Sequence, residues 1–165
     1  ILPAIIIAAM ILAGLIVCRY LKYRKPHSRK KISVAPPLPP GDLTYKELAQ
    51  INALKLPVKG EFKRYFTLVS ESLRKFLGAE FGFPVLERTT AEVLNDIQHR
   101  DVSESVRERT GNFLQDADLV KFAKYIPLIE EADAAMEQAL KIVDESVEYH
   151  RAKTAATMKE HVLTT

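Results

Sequence analysis

The chain has 165 residues, 47% of them hydrophobic, and carries 24 basic against 21 acidic side chains for a formal charge of +3. One cysteine excludes an intrachain disulfide framework. All seven Lys and Arg between residues 19 and 31 precede the first acid, and without them 17 basic residues face 21 acidic ones, a net of −4. The basic excess therefore belongs to one short run, and the remainder has no electrostatic footprint for DNA or RNA.

Ile1 to Cys18 carries no charge. A helix of this length reaches roughly 26 Å, just under a hydrocarbon core of about 30 Å. The segment has no polar face, so a membrane span over residues 1–18 is expected rather than a buried core helix. A cleaved signal peptide needs its positive charge before the apolar run, and here it follows. Because the chain starts at Ile, the span is expected to continue upstream. Arg19, Lys22, Arg24, Lys25, Arg29, Lys30 and Lys31 follow directly. By the positive-inside rule they place this flank in the cytoplasm and against anionic lipid headgroups. A nucleic-acid arm is the rival reading, disfavoured because the run abuts the span without aromatic stacking partners. Cys18 reads first as a small residue ending the span; palmitoylation is the rival.

Residues 19–41 read as a basic juxtamembrane run leading into a linker. Pro26, Pro36, Pro37, Pro39 and Pro40 remove backbone donors and favour an extended, semi-rigid spacer over a ligand for a proline-reading domain. Residues 42–150 then show helical periodicity throughout. In the first helix Thr44 and Glu47 form an expected capping box, with Leu43 and Leu48 as a hydrophobic staple, and Pro57 stops it. The second, about 59–81, carries Phe62, Tyr65, Phe66, Val69, Leu73, Phe76 and Leu77 at three- and four-residue steps. Gly82 and Pro84 end it, and Gly78 either weakens its last turn or admits another helix. A third starts with a Thr89–Glu92 box and turns Val93, Leu94 and Ile97 inward. Ser103 opens a fourth with a stripe of Val106, Thr110, Phe113, Leu114, Ala117 and Val120. Pro127 forces a bend. A fifth spans about 128–149 with Ile129, Ala132, Met136, Ala139, Leu140, Val143 and Val147 inward. Residues 151–165 read as a frayed tail. The predicted fold is all-α: a span, a linker and a small bundle of about five helices.

No catalytic constellation emerges. His27, His99, His150 and His161 are scattered, without a partner at metal-ligand spacing, and read as solvated. Lys59-Gly60 lacks a phosphate-loop context. Asp116 and Asp118 start like a calcium loop whose glycine and final glutamate are missing. Glu130, Glu131 and Asp133 complement a helix dipole. Two segments have a sharper reading as a partner surface. Arg88 lies in the first, Leu86 to Glu92. The second, Ala117 to Tyr125, sets Asp118, Lys121 and Lys124 at helical spacing with Phe122 and Tyr125 beside them, where charged and aromatic groups meet a bend.

Several of these stretches together resemble the C-terminal part of BatD-type proteins over about residues 12–147. They are the basic run, the Ala-Pro-Pro-Leu-Pro-Pro spacer, Glu61-Phe62, Leu73-Arg74-Lys75-Phe76-Leu77, Phe81 to Thr90 and Ala117 to Tyr125. The resemblance implies a single-pass bacterial inner-membrane protein encoded beside von Willebrand factor A-type proteins and a MoxR-type AAA+ ATPase, with no catalytic residues and no cofactor to carry over. Such proteins also carry extracytoplasmic β-rich domains, which these 165 residues do not include. The expected role is a non-enzymatic, membrane-anchored interaction or scaffold module. The alternative is a small regulatory or ligand-sensing helical domain on the same tether.

Overall fold

A computed structural model of the chain describes residues 38–85 and 87–163. The expected span, the seven lipid-contact cations from Arg19 to Lys31 and the linker through Pro37 lie outside the described residues, as does Leu86. The described part is all-helical, with five α-helices, one 3₁₀ turn and no strand among the described residues: α1 (Pro40–Ala53), a turn (Pro57–Lys59), α2 (Phe62–Phe81), α3 (Thr90–Gln98), α4 (Glu104–Phe122) and α5 (Ile129–Leu163). The small helical bundle expected from periodicity is present. None of these helices is long and apolar enough to cross a membrane.

Helix α1 begins earlier than the capping signal suggests. Pro40 is its first residue, where the missing N–H needs no partner and the fixed φ suits a helix. The amide of Leu43 already donates to the Pro39 carbonyl (3.3 Å). Thr44 therefore sits a full turn inside, buried, donating its hydroxyl to the Pro40 carbonyl (2.9 Å) instead of capping. The expected Thr44–Glu47 box and the Leu43 staple are overturned, and Leu43 is exposed. Pro40 and Gly41, read as linker, belong to the helix. Gly41 is buried against α5, where a Cβ would lie 2.9 Å from Val147 Cγ2.

Helix α2 is the hub, packed against α1, α4 and α5. Tyr65, Phe66, Val69, Leu73, Phe76 and Leu77 are all buried, as the stripe predicts, and Phe62 packs at the edge of the core. Each full burial of this kind stabilises by about 1.5–3 kcal/mol. The Tyr65 hydroxyl donates to the Ala132 carbonyl of α5 (3.1 Å), so this buried polar atom is satisfied. Gly82 ends the helix at φ +69°, a conformation open to glycine without penalty. What approaches Gly78 is not another helix but the outgoing loop: a Cβ there would meet Val85 and the Phe83 carbonyl.

Both later caps form as read. Thr89 accepts from the Glu92 amide (3.3 Å) while Glu92 accepts from the Thr89 amide (2.8 Å). Ser103 accepts from the Val106 amide (3.3 Å). All six stripe positions of α4 are buried. In α5 Ala132, Met136, Ala139 and Val143 are buried as expected, joined by Ile142 and Ser146, while Ile129 is exposed. The Ser146 hydroxyl is satisfied by the Ile142 carbonyl (2.6 Å).

The frayed tail is a further correction. Helix α5 runs on to Leu163, and residues 151–159 are exposed. This stretch contains neither Gly nor Pro and is rich in Ala, Lys, Arg and Met, so propensity continues the helix where packing has ended. Nor is His150 simply solvated. Its Nδ1 lies 2.7 Å from Glu80 Oε1, and its ring stands edge-on to Phe81 with centroids 5.0 Å apart. His99 behaves as expected, exposed, with Nδ1 on the Asn95 carbonyl (2.7 Å).

Candidate functional site

The residues singled out from the sequence fall on two sides of the C-terminal end of α4. Asp118, Lys121 and Phe122 lie on its last turns, and Arg88 on the loop between α2 and α3 joins them at a cleft of about 490 Å³. Tyr125 faces a different hollow, about 320 Å³, with Phe66, Phe113, Val120, Pro127 and Glu131. Lys124 joins neither: α4 ends at Phe122, and Lys124 sits beyond it at φ +58°, exposed. Its expected helical spacing with Asp118 and Lys121 is thus overturned, because the bend toward Pro127 breaks the helix first.

The first cleft is organised by a residue that spacing alone did not flag. Arg74, half-buried on α2, donates to the Arg88 carbonyl (3.0 Å) and to the Thr90 hydroxyl (2.6 Å). The Thr90 hydroxyl in turn donates to Asp118, whose other oxygen is 3.2 Å from the Lys121 ammonium. The chain of contacts thus runs from α2 through the start of α3 to the end of α4. Burial lowers the Arg74 pKa and the Asp118 charge pushes it back up, but a guanidinium stays protonated at any physiological pH. Among the described residues no carboxylate oxygen lies within 4 Å of the Arg74 guanidinium, whereas Lys121 has Asp118, Lys75 has Glu47 (3.9 Å), and Arg88 has Glu92 and Asp96 (both 3.9 Å). Arg74 could have been suspected from its place one residue after Leu73, at the edge of the buried stripe. Its partners lie 14 and 16 residues away and leave no local pattern.

The cleft wall carries four cations, Arg74, Lys75, Arg88 and Lys121, against two acids, Glu71 and Asp118. It is a net positive concavity on a net negative stretch of chain. Phe122 forms its apolar rim, 75% exposed, with the Lys121 ammonium 5.1 Å from the ring centre.

On the other side the bend is held by Glu131. Its carboxylate accepts from the Leu128 amide (2.6 Å) and from the Tyr125 hydroxyl (2.8 Å), which lowers its pKa and raises that of Tyr125. The Tyr125 amide donates to the Leu119 carbonyl (3.3 Å). Around this clamp Leu119, Ile126, Leu128 and Ile129 are all exposed, Ile126 at 77%. No group of three or more His, Cys, Asp or Glu among the described residues could hold a metal ion.

No protein-family model matches the chain, and no curated protein and no solved structure is significantly similar to it. The likeness to BatD-type proteins therefore rests on the quoted residues alone.

Proposed function

We propose that the chain is a non-enzymatic, membrane-tethered interaction module. Residues 1–18 hold it in a bacterial inner membrane, the seven flanking cations lie against anionic lipid, and the proline-rich segment gives reach. The helical bundle is the cytoplasmic docking part. The observation that carries the docking reading is the corner between α4 and α5. Phe122, Ile126 and Leu128 are 75, 77 and 66% exposed within seven residues, flanked by half-exposed Leu119, Tyr125 and Ile129. Large apolar side chains exposed together at one bend are a common mark of a protein contact. The resemblance suggests as partners a MoxR-type AAA+ ATPase and von Willebrand factor A-type membrane proteins.

Photo-crosslinking in living cells tests this. A photoreactive phenylalanine analogue at Phe122 or Ile126 of the full chain should form adducts with one of those two protein types. The same group at Val58, exposed but outside the corner, should not. Adducts at neither corner position, or equal adducts at Val58, would count against the reading. Protease added to spheroplasts should leave residues beyond Pro40 intact if the bundle is cytoplasmic.

A ligand-sensing role is the second reading, favoured by the 320 Å³ hollow between α2, α4 and α5. Its volume sits at the lower end of small-molecule sites. A melting-temperature rise of the purified chain across a metabolite panel, lost on Phe113→Ala, would favour it.

A further inference from the structure

We infer that the cleft between α2, α3 and α4 is the specificity pocket of this docking surface and takes an acidic side chain from a partner peptide, set beside an apolar residue that covers Phe122. The inference rests on the interaction reading above and adds to it the chemistry of the partner.

Three observations point the same way. The first is charge. The lining carries four cations, and Arg74 alone of them has no carboxylate within 4 Å among the described residues, so the charge left for an acidic ligand is that of the Arg74 guanidinium. The second is the state of Arg74. Its guanidinium is half-buried and held in a fixed pose by the Arg88 carbonyl and the Thr90 hydroxyl, both neutral acceptors. A partly desolvated cation with no carboxylate within 4 Å among the described residues gains from an incoming carboxylate, and its planar donors suit that group. The third is the rim. Phe122 projects beside Lys121, so the pocket offers an apolar platform adjoining the charged floor. A carboxylate alone would leave that ring in water. An acidic residue flanked by an aliphatic or aromatic one would cover both. Lys75, Arg88 and Lys121 already face Glu47, Glu92, Asp96 and Asp118, so Arg74 is the anchoring cation and the other three line the cleft around it with their charges balanced in place.

The full chain, reconstituted in lipid nanodiscs of uncharged phospholipid, can be used to select from a display library of randomised twelve-residue peptides. Enriched sequences should carry Asp or Glu next to an apolar residue. Their binding should weaken about tenfold or more on Arg74→Gln, a change of about 1.4 kcal/mol or more, and on Phe122→Ala, and should fall with salt. Because Arg74→Gln also removes a tie between helices, Lys121→Gln serves as a second variant: it should weaken the same peptides while circular dichroism stays unchanged. Selected peptides without acids, or acidic peptides indifferent to both cation variants, would overturn the inference while leaving a corner crosslink intact. Inorganic phosphate raising the melting temperature through Arg74, with no acidic peptide enriched, would overturn it in favour of a small anion. Failure of the crosslinking experiment, by contrast, would remove the docking reading itself.

Discussion

The space where Gly78 lacks a side chain is the space Val85 fills: a Cβ at Gly78 would stand 2.8 Å from Val85 Cγ2 and 2.9 Å from the Phe83 carbonyl oxygen. One of those neighbours is backbone, so the collision cannot be relieved by a rotamer change alone. Gly78→Ala should therefore lower stability by about 1–2 kcal/mol even though alanine is the better helix former by about 1 kcal/mol. Gly111 supplies the contrast within α4. The nearest atom to a Cβ there, Leu94 Cδ2, is 3.9 Å away. Gly111→Ala should raise stability by about 0.5–1 kcal/mol. Thermal melts of the two variants followed by circular dichroism should shift in opposite directions.

The hydroxyl of Thr90 accepts from Arg74 and donates to Asp118, linking three helices through one oxygen. Thr90→Val keeps the shape and removes the oxygen. It should cost about 1–2 kcal/mol, since Arg74 and Asp118, both partly buried, each lose one hydrogen bond. Thr90→Ser should recover most of the loss. Equal melting temperatures for wild type and Thr90→Val would show that the tie contributes nothing.

Tyr65 predicts an alkaline limit to stability. Burial first, and Asp133 second, push its hydroxyl from 10.0 up to about 12. Below pH 10 the tyrosine is neutral whether the chain is folded or not. Between pH 10 and about 12 it ionises in the unfolded chain but stays protonated in the fold, so stability falls with rising pH across that window. Tyr65→Phe should flatten this slope, while losing about 1 kcal/mol at neutral pH with the bond to the Ala132 carbonyl. Denaturation midpoints at a series of alkaline pH values read both effects.

Glu131 predicts the opposite limb at the bend. The Leu128 amide, then the Tyr125 hydroxyl, hold its carboxyl below the usual glutamate range. A depressed carboxylate stabilises fully above its unfolded pKa and loses that contribution as pH falls through the folded one. The protection of the Leu128 amide, its exchange rate measured against the intrinsic rate at the same pH, should therefore fall as the solution is acidified through and below the ordinary glutamate range. Glu131→Gln should remove most of that pH dependence. A pH-independent Leu128 opening free energy in the wild type would refute the clamp.

How much of this was legible in the sequence depended on whether the signal was local. Helix α2 was plain because seven apolar residues keep step with its turn and Gly82-Pro84 punctuates the end. The Thr89 and Ser103 caps were plain because a cap and its target lie three residues apart. The start of α1 was misread because two signals competed, and Pro40 in the first turn prevailed over Thr44. The end of α5 was missed because exposed residues such as Lys153 and Ala156 carry propensity but no pattern. At the candidate site, proximity along the chain grouped Asp118, Lys121 and Phe122, which line one cleft, with Lys124, which the end of α4 takes out of helical register. Arg74 and the His150–Glu80 contact, whose partners are distant in sequence, were invisible until the helices were packed.

The seating of α1 has a mechanical consequence. One side of this helix rests on α2, while Gly41 meets Val147 and the Tyr45 hydroxyl donates to Asp144 of α5. Tension arriving from residues before Leu38 would thus load α1 first. Resisting it would be the packing of α1 on α2 through Leu48 and Ile51 together with the contacts near Gly41 and Tyr45.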